Sequence, residues 1–201
     1  MAGLSGRTHK RVRMLKDKLI SVLWYNRFFY RIGSHSTISS PLFTHQPEFI
    51  SLGERVSIGP YCRMEAHPDA EQAKLLAPIL KIGSRVRIEH GVNISSAIDL
   101  EIQDDVLIAG GCYISDNNHS IDPEGPRYLE QPLTREKTTI GRGAWLGQNV
   151  CVLAGATIGE KSVIGAGSIV RGNIPPYSIA VGSPARVIKR YSFETKQWEK
   201  C

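Results

Sequence analysis

The sequence lacks the features of a disulfide-rich, membrane-spanning or secreted protein. Only four of its 201 residues are cysteines and no CxxC pair occurs, so neither a disulfide framework nor a zinc site is predicted. The longest apolar stretches, such as residues 19–25, fall far short of the roughly 20 residues that a membrane-spanning helix needs. No small-residue cleavage site follows an apolar run near the N-terminus, so no signal peptide is predicted. We therefore expect a cytoplasmic protein.

The charge is moderately basic, with 25 Lys and Arg against 19 Asp and Glu and a formal net charge of +6. Such a balance favours an anionic partner, which includes nucleic acid, an acidic membrane surface or a phosphorylated ligand, and does not choose among them. A hydrophobic content of 41% is ordinary for a globular domain. The length fits one domain with appendages.

A repeat of six residues dominates the C-terminal half. Every sixth position from 140 to 170 is a branched aliphatic: Ile140, Leu146, Val152, Ile158, Ile164 and Val170. A small or β-branched residue lies four positions after each one: Ala144, Val150, Ala156, Ser162, Ser168 and Ile174. This period is neither helical nor that of an alternating strand, and it is typical of a parallel β-helix. Glycine follows four of the aliphatics, where we expect tight corners with positive φ.

The same repeat continues upstream with interruptions. It runs through three earlier groups, of which the last contains Ile102, Ile108 and Ile114, and a weaker first turn contains Ile32 and Ile38. Three hexapeptides close one triangular coil, which predicts about five to six coils whose aliphatics stack inward. Cys62 and Cys112 fall on the small-residue position, so we expect buried thiols there.

The ends of the chain predict caps on this solenoid, because stacked coils need them. Residues 1–31 form a basic segment with helical spacing of apolar residues, residues 32–189 form the β-helix domain, and residues 190–201 form a tail with a short helix from about 192. The first segment carries eight basic residues and one acidic residue between positions 7 and 31. It either packs on the solenoid end with a solvated basic face or rests on an anionic membrane.

Residues 120–139 are the largest break in the repeat, and they predict a protruding, functional arm. His119 immediately precedes this arm, and Trp145 holds the equivalent position of the repeat that follows it. An imidazole at such a break suits a general base, with Asp116 or Asp122 fixing its tautomer. The simpler interpretation is a solvated histidine, a tryptophan packed between subunits and two aspartates in turns.

Three segments resemble those of hexapeptide-repeat acetyltransferases: IGRGAWLG from Ile140, IGAGSIV from Ile164 and VGSPARVIK from Val181. The closest groups are the maltose and galactoside O-acetyltransferases and the sugar O-acetyltransferases of polysaccharide and lipopolysaccharide assembly. The resemblance implies a left-handed β-helix, a homotrimer with active sites between subunits, acetyl-CoA as donor, a glycan or small-molecule acceptor, no nucleic acid and no metal. It also implies that His119 is the catalytic histidine and that the coenzyme contacts are Trp145, Gly147, Gln148, Gly165, Ala166, Arg171, Arg186 and Lys189.

The chain departs from this family at the acceptor side. Many relatives carry asparagine at the position of Glu89, and the galactoside-type enzymes have proline at the position of Ser120. The second difference favours the polysaccharide-associated branch. We expect the acceptor to be bound by Glu89, Asn93 and Asn117.

The expected reaction is direct attack of a sugar hydroxyl on the thioester, with His119 as base and backbone N–H groups near Gly147 and Gln148 stabilising the oxyanion. Four alternatives remain at this point. They are N-acetylation of an amino-sugar nucleotide, acetylation of an antibiotic, a γ-class carbonic anhydrase and a non-catalytic scaffold. The carbonic anhydrase would need three histidines on zinc, whereas only His90 and His119 lie at promising repeat positions.

Overall fold

The computed structural model describes residues 15–17, 19–21 and 23–201, and it is a solenoid of three parallel sheets. Sheet A contains β1 Arg31–Ile32, β4 Ile50–Leu52, β7 Leu80–Ile82, β10 Leu100–Ile102, β15 Thr138–Ile140, β18 Thr157–Ile158 and β21 Asn173–Ile174. Sheet B contains β2 Thr37–Ile38, β5 Ser57–Ile58, β8 Arg87–Ile88, β11 Leu107–Ile108, β16 Trp145–Leu146, β19 Val163–Ile164, β22 Ser178–Gly182, β23 Ala185–Ser192 and β24 Gln197–Lys200. Sheet C contains β3 Leu42–His45, β6 Cys62–Ala66, β9 Asn93–Ser96, β12 Tyr113–Ser115, β17 Cys151–Val152 and β20 Ile169–Val170.

The sheets take one strand each from every coil, so the chain winds around a triangular core. Paired strands keep the aliphatics in register, as in Ile102 with Ile140 and then Ile158 in sheet A. The described residues complete six such coils and begin a seventh, which agrees with the upper end of the predicted range. Cys62 and Cys112 are fully buried as predicted, and burial raises the pKa of both thiols.

The glycines that follow the aliphatics have a different role from the one predicted. Positive φ occurs further along each repeat, as at Gly143 and Gly167. At Gly147 the constraint is instead the close approach of the next coil, since an added Cβ would lie 2.6 Å from the backbone nitrogen of Ala166. Glycine is therefore required at position 147 so that the next coil can stack on this one.

The arm begins and ends earlier than predicted. Coil register is regained at Thr138, which pairs with Leu100, so the excursion covers residues 116–137 rather than 120–139. Its base is an antiparallel hairpin of β13 Asn117–His119 and β14 Leu133–Arg135, with a 3-10 turn at Tyr128–Glu130 between them. The prediction that His119 and Trp145 hold equivalent corners of one coil is therefore wrong, because Thr139 occupies the coil position and His119 belongs to the hairpin.

The two ends of the chain differ in how well they were predicted. Residues 15–17, 19–21 and 23 are helical, and the rest of the predicted N-terminal helix up to residue 22 lies outside the described residues. A 3-10 turn Tyr25–Arg27 follows. The predicted C-terminal helix is wrong, since β23 continues through the assumed boundary at residue 190 and β24 pairs with it antiparallel. These strands extend sheet B because β22 leaves an edge that β23 can pair with.

Smaller excursions complete the fold. A 3-10 turn occupies Pro47–Phe49, and a short helix Ala70–Leu75 begins at a capping box formed by Asp69 and Gln72. Among the described helices, none has the length and apolar character to cross a membrane.

Candidate active site

The arm and the outer face of sheet C enclose a pocket of about 610 Å³. Three of the predicted site residues, Asn93, Asn117 and His119, lie in its wall. The other lining residues are Arg63, Glu65, His67, Ile94, Ser95, Tyr113, Asn118, Leu129, Gln131 and Leu133. The sheet provides the floor of this pocket and the arm of the same chain provides one side.

The polar floor follows from strand alternation. Arg63, Asn93 and Tyr113 occupy paired positions of β6, β9 and β12, so they form one column across three coils. Their neighbours Met64 and Ile94 point into the core and are buried. Successive side chains of a strand point to opposite faces, and the residues flanking the core aliphatics therefore face outward into the pocket.

His119 is presented by the hairpin and not by the coil. It pairs with Leu133 across β13 and β14 and its side chain is exposed at the pocket. Neither Asp116 nor Asp122 donates to or accepts from its imidazole in the described structure. The prediction that one of these carboxylates fixes the tautomer of His119 is therefore not supported by the geometry.

Asp116 is instead a buried structural carboxylate. Its Oδ1 accepts from the backbone N–H of Ala97 (2.6 Å) and from Asn117 Nδ2 (3.1 Å). Its Oδ2 accepts from Ser96 Oγ (2.8 Å) and from the N–H groups of Ile98 (3.1 Å) and Asp99 (2.9 Å). The side chain is fully buried. Four of these five bonds attach the first residue of the arm to the end of β9 and the loop that follows it in the preceding coil.

Asp122 has a local role in the arm. Its Oδ1 accepts from the backbone N–H of Glu124 at 2.9 Å, and the residue is exposed. This is the Asx-turn arrangement that the simpler interpretation predicted. Gln131, which the sequence did not single out, spans the arm by donating to the carbonyl oxygens of Asp122 and Pro126, both at 2.8 Å.

An ion pair fixes the C-terminal end of the arm. Lys137 Nζ lies 2.7 Å from Asp99 Oδ2, and Lys81 Nζ lies 2.9 Å from Asp99 Oδ1. Partial burial raises the pKa of Asp99, but the hydrogen bonds from Lys137 and Lys81 outweigh it and hold the pKa below its usual value. Thr138 Oγ1 also donates to the carbonyl oxygen of Ser115 at 2.8 Å. Both ends of the arm are therefore fixed to the same coil.

His67 is a pocket residue that the sequence interpretation treated as structural or solvated. Its ring stacks on that of His45, with centroids 5.3 Å apart, and its Nε2 lies 3.7 Å from Glu65 Oε2. Burial lowers the pKa of His67, against an opposing effect of Glu65. Polar residues alternate along β6 and just beyond its end, at Arg63, Glu65 and His67. This alternation could have predicted from the sequence that all three face outward.

The predicted coenzyme residues form a second group, on sheet B. Gly147 N–H donates to the carbonyl oxygen of Ile164 (2.8 Å) and Gly165 N–H to that of Ala180 (2.9 Å), so the rows that carry them are adjacent. Lys189 and Arg186 continue these rows through the pairing of β23 with β22. We call this group the sheet B ridge, and it consists of Trp145, Gly147, Gln148, Gly165, Ala166, Arg186 and Lys189. The N–H of Gly147 already donates to the carbonyl oxygen of Ile164, so it is not free to stabilise an oxyanion. Of the two predicted oxyanion donors, Gly147 and Gln148, only Gln148 remains.

Two further predicted residues, Arg171 and Glu89, lie outside both the pocket of His119 and the sheet B ridge. Arg171 follows β20 of sheet C, and so leaves the coil at another corner. Glu89 is paired with Arg87, with Arg87 Nε 2.6 Å from Glu89 Oε1, and it lines a separate cleft of about 400 Å³ on sheet B. Trp145 is half-exposed on sheet B and is not among the residues lining the pocket of His119.

The site contains no cluster suited to a metal ion within residues 15–17, 19–21 and 23–201, since no three His, Cys, Asp or Glu side chains there converge. The pocket presents imidazole, amide, hydroxyl, guanidinium and carboxylate groups.

The coils and this pocket define a hexapeptide-repeat protein, and comparison with known proteins assigns it further. The family model "Bacterial transferase hexapeptide (six repeats)" matches residues 137–172. The protein of Escherichia coli strain K12 named "Putative lipopolysaccharide biosynthesis O-acetyl transferase WbbJ" is 34% identical over 94% of this chain and 93% of its own. The galactoside O-acetyltransferase of the same strain is 35% identical over 59% of this chain and 58% of its own. The chain belongs to the hexapeptide-repeat transferase family and is an acetyltransferase.

Solved structures show that the fold is the left-handed β-helix of this family. The N-acyltransferase AntD from Bacillus cereus, solved with dTDP and coenzyme A, has a TM-score of 0.71 at 20% identity, covering 87% of this chain and 91% of its own. The galactoside acetyltransferase solved with coenzyme A has a TM-score of 0.57 at 23% identity, covering 100% and 92%. At these identities the likeness establishes the fold.

Proposed function

We propose that the protein transfers an acetyl group from acetyl-CoA to a sugar hydroxyl during assembly of a cell-surface polysaccharide or lipopolysaccharide in the cytoplasm. The observation that carries this proposal is the pocket in which His119 meets a floor of amide, phenol and guanidinium groups under the arm. The full-length similarity to WbbJ supports the same class of acceptor.

The composition of the pocket fits a neutral glycan. Asn93 and Asn118 are exposed in the pocket wall and each offers both donors and acceptors, which suits neighbouring hydroxyl groups. The side-chain NH₂ group of Asn117 and the amide of Gln131 are instead used in hydrogen bonds within the protein. Arg63 lies 3.4 Å from Glu65 and is partly neutralised by it, so the floor does not present a strong charge of one sign. Tyr113 adds an exposed aromatic face with a polar tip.

The proposed chemistry is a single displacement. A hydroxyl is a poor nucleophile at neutral pH, so His119 accepts its proton as the oxygen attacks the thioester carbonyl. The tetrahedral intermediate then collapses, the C–S bond breaks, and the imidazolium returns the proton to the departing thiolate of coenzyme A. Gln148 on the sheet B ridge is the remaining candidate donor to the oxyanion.

We propose that the site is completed by a second copy in a homotrimer. His119 lies on the sheet C side of the solenoid, whereas Trp145 and the rest of the ridge lie on sheet B. A head-to-tail contact places the sheet C face of one copy against the sheet B face of the next, and three such contacts close a ring. Arg186 and Lys189 then face the coenzyme phosphates, for which basic side chains are suited.

The proposed function is tested by turnover with defined acceptors. The purified protein and acetyl-CoA are incubated with an oligosaccharide repeat unit, with an amino-sugar nucleotide, or with no acceptor, and thiol release is measured. We expect release above background with the oligosaccharide, and a product that mild base hydrolyses because it is an ester. A base-stable amide formed only with the amino-sugar nucleotide would overturn O-acetylation in favour of N-acylation, the activity that AntD is named for.

Trp145 provides a test of the coenzyme wall. Trp145→Ala removes the exposed indole beside the ridge, so we expect about tenfold weaker coenzyme A binding, equivalent to about 1.4 kcal/mol. Thermal-shift titration measures this, since a ligand at 100 times its Kd stabilises by about 2.7 kcal/mol. Trp24→Ala, which removes an indole exposed far from the ridge, is the matched control. Equal titrations for both variants would contradict the assignment.

A further inference from the structure

The N-terminal helix attaches to the solenoid through its polar side. Ser21 Oγ accepts from the backbone N–H of Ile38 and Asp17 Oδ2 accepts from Ser39 Oγ, both at 2.8 Å. Asp17 and Ser21 are buried and, being four positions apart, lie on the same face of the helix. Leu15, Leu19 and Leu23, which contribute to the helical spacing of this segment, are exposed and do not hold it to the first coil.

The other side of this segment exposes a stripe of large apolar residues. Leu15, Leu19 and Leu23 follow one another at intervals of four on one face of the helix. Trp24 and Phe28 follow the helix in the chain, with ring centroids 5.4 Å apart. These five side chains are between 46% and 62% exposed, and we call them the leucine–aromatic stripe. Several large apolar side chains exposed within one short segment mark an interaction surface, unlike single exposed ones.

The charge around the stripe identifies its partner. Residues 7–31 carry eight basic residues, of which Lys16, Arg27 and Arg31 are exposed in the described part. The only acidic residue in that range is Asp17, and its carboxylate faces inward to Ser39. A second copy of the chain also has a net positive charge, of +6, whereas anionic lipid headgroups complement this basic segment.

We propose that the leucine–aromatic stripe docks on the surface of an anionic lipid bilayer. Leucines and aromatic rings sink into the boundary between headgroups and acyl chains, and flanking basic residues contact the headgroups. Tryptophan favours this depth because its ring is apolar and its N–H is polar. The helix lies in the plane of the surface in this arrangement, and the solenoid stays outside the bilayer. The proposal is independent of the acetyl acceptor.

Vesicle flotation tests the proposal with the full chain. Vesicles of phosphatidylcholine alone and of phosphatidylcholine with phosphatidylglycerol at about 7:3 are compared at low and at physiological salt. We expect binding to the anionic vesicles that weakens with salt because the attraction is partly electrostatic. The double variant Leu19→Glu, Leu23→Glu should reduce the partition coefficient by about tenfold or more, with acetyl-CoA turnover unchanged.

The matched control carries the same change on another exposed pair. Leu75→Glu, Leu76→Glu adds two negative charges at exposed leucines of the short helix and the residue after it, and it should bind vesicles nearly as well as the parent chain. No flotation of the parent chain with anionic vesicles, or equal loss in both double variants, would overturn the proposal. Light scattering provides the remaining arm: a change of oligomeric state in the Leu19, Leu23 variant would show that a second copy covers the stripe.

Discussion

Replacing His119 with alanine is expected to lower kcat for acetyl transfer by about 10²–10⁴-fold, the contribution of a positioned general base. The reason is that no other imidazole in the described pocket replaces it. His67 shares the pocket, but its ring is stacked on that of His45 and its Nε2 faces Glu65 at 3.7 Å. Turnover is measured with acetyl-CoA and the acceptor that the screen identifies.

A pair of asparagine variants separates base catalysis from general damage. His119→Asn keeps a polar side chain but removes the base, so we expect a loss close to that of alanine. His35→Asn makes the same change on the first coil, where the backbone φ of +62° is one that asparagine tolerates, and should leave turnover intact. The melting temperature should hardly change in the His119 variants, because that side chain is exposed. A loss of less than about tenfold for His119→Ala would remove the general-base assignment.

The solenoid was predictable because the same residues set the period and fill the core. Ile102, Ile140 and Ile158 lie one above another, so a correct period gives strands, register and burial together. Handedness was not contained in that period and came only from family resemblance. The C-terminal helix failed for a related reason. Local spacing near residue 192 allows a helix, but pairing of Tyr191 with Trp198 across β23 and β24 follows from an open sheet edge that the local sequence does not reveal.

Some residues of the pocket were predictable, but their connections were not. The break in the repeat drew attention to His119 and Asn117, which both line the pocket, because an excursion from a regular coil is visible in sequence. The partner of Asp116 was not visible, since the N–H groups of Ala97 and Asp99 lie in the preceding coil, about one turn of chain away. Proximity in sequence favoured a contact between Asp116 and His119 that the fold does not make.

Replacing Asp116 with asparagine is expected to destabilise the protein by about 3 kcal/mol or more. Whichever way the amide is turned, its NH₂ group replaces an oxygen that accepted from at least two donors, and buried donors left without acceptors cost about 1–3 kcal/mol each. For a chain of this size the expected fall in melting temperature is about 6–12 °C. The arm is also expected to lose its fixed position, so KM for the acceptor should rise more than kcat falls.

Asp122→Asn is the matched control for this prediction, because it makes the same change at an exposed carboxylate that accepts one local N–H. We expect its stability to stay within about 0.5 kcal/mol of the parent chain. Thermal unfolding of both variants and the dependence of kcat on pH separate the two roles of Asp116. An unchanged melting temperature with a kcat loss of about 10²-fold or more and a shifted pH profile would restore Asp116 as the partner of His119. A lowered melting temperature with an unchanged profile would establish it as the anchor of the arm, acting on catalysis only through the position of the hairpin that presents His119.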